Sequence, residues 1–217
     1  MQHTVETAVT LKEKTFYVKV IEDVDCLLEL VKTDDDVPFW ALLWPAAVSM
    51  SEYFWEQVDF SGLRVLELGA GLGLPGIVAA AKGASIVQTD FIPESQQLAK
   101  ENAQINGINN ISYLLADWRS FPIKERFDRI IGSDILYEPK LHSCLERIFE
   151  DNLKPGGKVV IADPGREDAK KFIKRLSQER FSLETVTRET YDCGHTVTVS
   201  LYFLTRQSWS LADTQTL

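Results

Sequence analysis

Apolar runs and helical patterns alternate through most of the chain, and the regular alternation begins just after Gly62. The run Val65–Leu68 predicts a strand, and Pro75–Lys82, with Ile77-Val78-Ala79-Ala80-Ala81 inside it, predicts the helix that follows. Ser85–Thr89 reads as the next strand, and Pro93–Asn106 as a helix closed by the Asn106-Gly107 signal. Ile111–Leu115 and Phe127–Gly132 follow as strands. Leu141–Phe149 follows as a helix, and Pro155-Gly156-Gly157 as a turn into the strand Lys158–Ala162. Repeated βα units of this kind predict a parallel sheet with helices on both faces. The ending departs from the repeat. After a helix at Glu167–Gln178, the β-rich runs Phe181–Thr190 and Thr196–Thr205 are joined by a short glycine-bearing link, which predicts an antiparallel hairpin. The expected fold is α/β: a Rossmann-like three-layer α/β/α sandwich whose seven-stranded, mostly parallel sheet ends in that hairpin.

Ahead of the alternation, Val5–Leu11 and Thr15–Val20 flank Lys12-Glu13-Lys14 and predict a separate β-hairpin. A short helix is expected near Leu27–Val31, and a solvated loop at Asp34-Asp35-Asp36. Between Val37 and Pro45 lie Trp40 and Trp44. Pro45 suits the first turn of a helix that runs on to Trp55. These features divide the chain into a hairpin extension (1–36), one domain (37–207) and a polar tail (208–217) expected to fray.

Composition narrows the functional classes. At 217 residues and 45% hydrophobic, the chain is long enough for one well-filled core. A net charge of −9 disfavours a broad nucleic-acid surface and suits a basic partner, such as a lysine-bearing protein segment. Cys26, Cys144 and Cys193 form no CxxC pair, which suggests free thiols in a reducing compartment. His3, His142 and His195 are scattered, so no metal site is expected. No secretory pattern opens the chain, and no apolar run approaches the roughly 20 residues of a membrane span, so a cytoplasmic protein is expected.

The candidate chemistry centres on Arg64–Gly76. A strand ends there in glycines at alternate positions, Gly69, Gly71 and Gly73, before a helix begins. Such a backbone can approach a nucleotide-like ligand closely. Ligands of open α/β sheets bind beyond the carboxyl ends of the strands. Four successive strands carry an acid near that end: Glu67, Asp90, Asp117 and Asp134. A single such aspartate is commonly a helix cap, and four together make capping alone a poor explanation. An acid at Asp90 can accept both hydroxyls of a ribose, and one at Asp117 an exocyclic amine. A dinucleotide site is the rival, because Gly71-Leu72-Gly73-Leu74-Pro75-Gly76 matches GxGxxG and Asp90 follows at a suitable distance. Against it stand the early Gly69 and the closing hairpin. No GK[ST] follows the glycines, which excludes a P-loop.

The run Glu67-Leu68-Gly69-Ala70-Gly71-Leu72-Gly73 resembles the first motif of class I, seven-β-strand S-adenosylmethionine-dependent methyltransferases. Asp90 and Asp117-Trp118 resemble the second and third binding motifs of that class. Phe39-Trp40 through Trp44-Pro45, together with Asp134-Ile135-Leu136-Tyr137, resemble the [FW]W…WP and DxxY segments of methyltransferase family 16. Many members of that family methylate protein lysines, and one branch acts on the β subunit of electron transfer flavoprotein.

The resemblance implies S-adenosyl-L-methionine as cofactor and in-line methyl transfer to a lysine amine. It implies that Gly69, Gly71 and Gly73 close on the methionine part. Glu67 would steady the turn or reach the cofactor's amino group. Asp90 would hold the ribose and Asp117 the adenine. Trp118 and Phe91 would pack beside the base or lie in the core, Trp44 would form a wall, and Ser133 would line the pocket. Asp134 and Tyr137 would frame the methyl acceptor. Ser133-Asp134-Ile135-Leu136-Tyr137 stands where amide and base-amine methyltransferases carry NPPY or DPPY. A small-molecule N-methyltransferase and a non-catalytic cofactor-binding module remain the alternatives.

Overall fold

A computed structural model describes residues 3–28, 31, 37–192 and 194–206, with Cys26 described by its backbone alone. The acidic run Asp34–Asp36, Cys193 and the tail Ser208–Leu217 lie outside the described residues.

Strands β1 (Thr4–Leu11) and β2 (Lys14–Ile21) pair antiparallel in a sheet of their own. The turn between them places Lys12 at φ 52°. The short helix α1 (Asp25–Leu28) starts ahead of the expected Leu27, and residues 29 and 30 of the expected helix lie outside the described residues. A 3-10 turn at Phe39–Ala41 leads into α2 (Pro45–Gln57), with Pro45 in its first turn.

The remaining strands form one seven-stranded sheet. They are β3 (Arg64–Leu68), β4 (Ser85–Asp90), β5 (Ile111–Leu115), β6 (Phe127–Ser133), β7 (Leu153–Asp163), β8 (Phe181–Asp192) and β9 (His195–Arg206). Their order is β5-β4-β3-β6-β7-β9-β8. The first five are parallel, while β9 runs antiparallel to β7 and to β8. From β3 the chain winds first toward β4 and β5, then crosses to β6 on the other side. This switch point opens a crevice beyond the tips of β3 and β6.

Between the strands lie α3 (Leu74–Ala81), α4 (Pro93–Ile105), α5 (His142–Asn152) and α6 (Glu167–Glu179). Strand β7 starts earlier than the sequence suggests. Leu153 already pairs with Phe127, and the register shifts between Phe127 and Arg129. Pro155-Gly156-Gly157 is therefore an irregularity inside the strand, with Gly156 at φ 71°, and no turn precedes β7 there.

Strand alternation sorts the core into two layers. Val65, Ile131, Val160 and Leu201 face the layer that holds α2, α3 and α4. Leu66, Leu68, Ile130 and Val159 face the layer that holds α5 and α6. The same parity puts Glu67 with Val65, beneath α3.

The hairpin joins the first layer. Phe16 and Val18 are fully buried there with Met50 and Phe54, and the Phe16 ring meets Trp55 edge-on at 5.6 Å. Removing a buried phenylalanine ring of this kind costs roughly 3–5 kcal/mol. Phe16→Ala is expected to lower unfolding stability by that amount in a urea titration followed by circular dichroism. A loss below about 1 kcal/mol would show that the hairpin contributes little to the core.

Candidate active site

Beyond Leu68 the backbone enters the left-handed region three times, at Gly69 (φ 61°), Gly71 (φ 53°) and Gly73 (φ 81°). Space is also limiting. A Cβ on Gly69 would lie 3.0 Å from Ile135 Cγ2, and one on Gly73 would lie 2.8 Å from Gln88 Nε2. Three successive carbonyls of this turn are each held by a side chain. Ser95 Oγ donates to Gly71 O at 3.1 Å, Asn102 Nδ2 to Leu72 O at 3.0 Å, and Gln88 Nε2 to Gly73 O at 2.9 Å. On the donor side, Gly71 N–H reaches Asp90 Oδ2 at 2.9 Å and Ala70 N–H reaches Thr89 O at 3.0 Å. The turn is thus clamped by β4 and α4 into one shape, with no side chain of its own at the glycines.

Glu67 is not brought to the cleft. Strand parity directs it under α3, where Gly76 N–H donates to Oε1 at 3.2 Å and Gln88 Nε2 to Oε2 at 2.7 Å. A Cβ on Gly76 would sit 2.1 Å from Oε2, so a glycine is needed where the helix meets this acid. Burial pushes the Glu67 carboxyl up to about 8, against the pull of the Gln88 and Gly76 hydrogen bonds. Its place under the first turn of α3 makes it a strut of the glycine turn.

The other acids do stand at strand tips. Asp90, buried at the end of β4, accepts from Gly71 N–H through Oδ2 and from Ile92 N–H through Oδ1 at 3.1 Å. Burial raises its pKa, and these backbone donors oppose the rise. Asp117 follows β5 and starts a 3-10 turn by accepting from Arg119 N–H at 2.8 Å, while Arg119 Nε lies 2.9 Å from its Oδ2. Gly69, Gly71, Gly73, Asp90, Asp117 and Asp134 line a single cleft, together with Trp44, Phe91, Trp118, Ser133 and Tyr137. Every site residue named from the sequence except Glu67 is therefore gathered at one place. Over the glycine turn lies the Phe39–Trp44 segment, pinned by Trp44 Nε1 donating to Phe39 O at 2.7 Å. At the mouth the Phe39 ring stands 5.3 Å from Tyr137 and 6.1 Å from Trp44, and Phe39, Phe91 and Tyr137 are all exposed.

Asp134 carries a feature that no local pattern announced. It has φ 54°, with its N–H donating to Ala162 O at 2.8 Å. Both of its carboxylate oxygens accept from Arg166, Oδ1 from Nε at 2.8 Å and Oδ2 from Nη2 at 3.0 Å. Arg166 N–H and Gly165 N–H in turn donate to Asp163 Oδ1, each at 2.7 Å, at the tip of β7. The bond to Asp134 is the main reason the Arg166 guanidinium holds its proton more firmly than usual. Arg166 and Asp163 were missed because they lie about 30 residues beyond the motif. The sole signal was Asp163-Pro164-Gly165-Arg166 after a fifth strand. Among the described residues no group of three or more His, Cys, Asp or Glu side chains is gathered to hold a metal, and no helix is long and apolar enough to cross a membrane.

Comparison with solved structures places the fold among methyltransferases. A ribosomal protein L11 methylase from Lactobacillus delbrueckii superimposes with a TM-score of 0.65 at 19% identity, over 93% of this chain and 100% of that one. A magnesium protoporphyrin IX methyltransferase from Synechocystis, solved with bound S-adenosylmethionine, gives 0.57 at 17% identity, over 79% and 81%. At the level of sequence, residues 28–179 match methyltransferase family 16, described as lysine methyltransferase, and the chain belongs to this family.

Mouse EEF1A lysine methyltransferase 3 is 33% identical over 158 residues, covering 69% of this chain and 67% of that protein. A histidine protein methyltransferase 1 homolog of Dictyostelium discoideum is 35% identical over 127 residues, covering 55% and 41%. The zebrafish electron transfer flavoprotein β-subunit lysine methyltransferase is 29% identical over 161 residues, covering 71% and 62%. The chain thus spans between about two-fifths and two-thirds of the length of these relatives.

The buried Glu67 generates a pH prediction. Its carboxyl rises from an ordinary 4.5 to about 8 on folding, so between those values the folded chain binds the extra proton. The stabilisation is fully present below pH 4.5 and fades as pH climbs through 8. Urea unfolding from pH 5 to pH 9 is expected to show this decline, and Glu67→Gln, which carries no titratable proton, to flatten it. Parallel pH curves for the two proteins would remove Glu67 as the source.

Proposed function

We propose that the cleft binds S-adenosyl-L-methionine and that the chain methylates the side-chain amine of a lysine in a protein partner. The observation that carries this reading is the meeting, in one cleft, of the clamped glycine turn with Asp90 on one side and the Asp134–Tyr137 segment on the other. The donor set fits such a cofactor. Backbone without side chains can lie against its amino-acid arm. The Asp90 carboxylate, held by the Gly71 and Ile92 backbone N–H groups, stands in the cleft where it can accept ribose hydroxyls. Phe91 and Trp118 offer faces for the base, with Asp117 beside them for its exocyclic amine, while Trp44 and Ser133 complete the wall. When bound, the cofactor supplies an activated methyl group on a sulfonium.

The chain's own residues then have to admit an amine and keep it neutral. Lysine has an unperturbed pKa of about 10.4, and an unbalanced carboxylate beside it would hold its proton on. Arg166 claims both oxygens of Asp134, so that wall of the cleft is polar with its charge balanced. The Phe39, Trp44 and Tyr137 rings at the mouth suit the aliphatic stem of a lysine and exclude water around its end. The family description and the mouse and zebrafish relatives support lysine as acceptor. The Dictyostelium relative is named for histidine, and its 35% identity makes that side chain the second reading. A free Cys144 thiol, together with cysteines at no pairing spacing, supports a reducing compartment such as the cytoplasm.

Incubation with methyl-labelled cofactor and cell lysate tests the reading, with one half digested by protease, the other by nuclease, and the labelled residue identified after hydrolysis. Protease-sensitive label recovered as methyl-lysine is expected. Methyl-histidine would shift the acceptor to the second reading, and nuclease-sensitive label would overturn both. Asp90→Ala is expected to abolish the thermal shift given by S-adenosylhomocysteine, and an intact shift would refute its role. Asp134→Asn, which tolerates the left-handed backbone, should keep that shift and lower transfer at least about tenfold, the factor for 1.4 kcal/mol of lost positioning. Undiminished transfer would exclude Asp134.

A further inference from the structure

The outer edge of β2 is completed by a helix. Asn102 on α4 and Asn106, which caps the end of that helix one turn later, face it, each engaging one residue of the strand. Tyr17 N–H donates to Asn106 Oδ1 at 2.9 Å, and Asn106 Nδ2 donates to Tyr17 O at 2.7 Å. Lys19 N–H donates to Asn102 Oδ1 at 2.7 Å, and Asn102 Nδ2 donates to Lys19 O at 3.2 Å. Lys19 Nζ adds an ion pair to Glu101 at 2.9 Å. The strand edge is thereby satisfied by side-chain amides, as a further strand would have done.

The two asparagines differ in one respect. Asn106 spends its remaining contact on its own helix, at Asn102 O. Asn102 is fully buried, and its Nδ2 donates to Leu72 O as well as to Lys19 O. One amide group therefore bonds both the hairpin and the middle carbonyl of the glycine turn, whose neighbouring carbonyls are held by Ser95 and Gln88. Those two holders make no bond to the hairpin.

We propose that Asn102 is a positioning residue that couples the amino-terminal hairpin to the cofactor turn, so that hairpin docking and cofactor binding favour each other. This rests on the reading of the cleft as an S-adenosylmethionine site. The coupling is physical. If the hairpin leaves α4, the Asn102 amide loses the partners that fix its orientation, and the Leu72 carbonyl loses a donor in a turn that has left-handed residues on both sides. By linkage, a ligand that needs the turn in its clamped shape must tighten the hairpin by the same factor.

The probe is S-adenosylhomocysteine, measured by calorimetric titration and by hydrogen exchange on the intact chain. Asn102→Asp keeps the acceptor for Lys19 N–H and replaces the donor by an oxygen, so it opposes both carbonyls. It is expected to weaken binding by roughly tenfold, through the hydrogen bond that the turn loses at Leu72 O. Asn106→Ala, which touches the hairpin and no part of the turn, is expected to weaken binding a few-fold in the wild-type background and not at all in the Asn102→Asp background. In the unaltered protein, the ligand is expected to slow exchange at the Tyr17 and Lys19 amides. This last measurement stands on its own if Asn102→Asp does not fold. Unchanged affinity in Asn102→Asp, additive effects of the two substitutions, or hairpin exchange indifferent to the ligand would each overturn the coupling. A wild type that does not bind the probe at all would instead refute the cofactor reading, and the coupling with it.

Discussion

The cleft depends on a short length of left-handed backbone that would not hold its shape unaided. Gly69, Gly71 and Gly73 have positive φ, and glycines lose more conformational freedom on folding than any other residue. Neighbouring elements supply the order. Ser95, Asn102 and Gln88 hold three consecutive carbonyls, Asp90 holds an amide from the other side, and Glu67 braces the start of α3. Such a turn can present bare backbone to a ligand and yet be rigid, because its stiffness comes from side chains behind it.

That arrangement divides the acids of the sheet into two kinds. Glu67 lies under a helix, where burial makes its charge costly, and its work is structural. Asp90, Asp117 and Asp134 stand at the tips of β4, β5 and β6, and each is already engaged by backbone or guanidinium donors. The cleft is therefore acid-rich without being a naked cluster of negative charge. For the proposed methyl transfer, with a cationic donor and a neutral amine as acceptor, this balance would be chemically apt: enough acidity to seat the donor, with Asp134 balanced by Arg166.

Much of this was legible in the sequence. The core strands from β3 to β6 and the closing hairpin followed from period and turn chemistry, since each apolar run is short and bounded. Where the reading failed, the reasons are specific. Glu67 was grouped with the strand-tip acids because it lies next to the glycines, and of its two expected roles only the steadying of the turn fits its place under α3. Counting parity from buried Val65 would have turned it inward. The Pro155–Gly157 run looked like a turn because proline and glycine usually interrupt a strand, whereas β7 absorbs them at a shift of register. Arg166 could not be paired with Asp134 from spacing, because only the adjacency of β6 and β7 joins them. Asn106 was visible as a helix end, while nothing singled out Asn102 within the helix. Their joint role requires knowing that the hairpin packs against α4.

Calorimetric titration of the unaltered chain, with S-adenosylhomocysteine in one experiment and NAD in another, tests the central claim that the clamped turn is a methyl-donor site. Saturable one-to-one binding of S-adenosylhomocysteine with no heat from NAD is the predicted result. Binding of NAD with none of S-adenosylhomocysteine would contradict it.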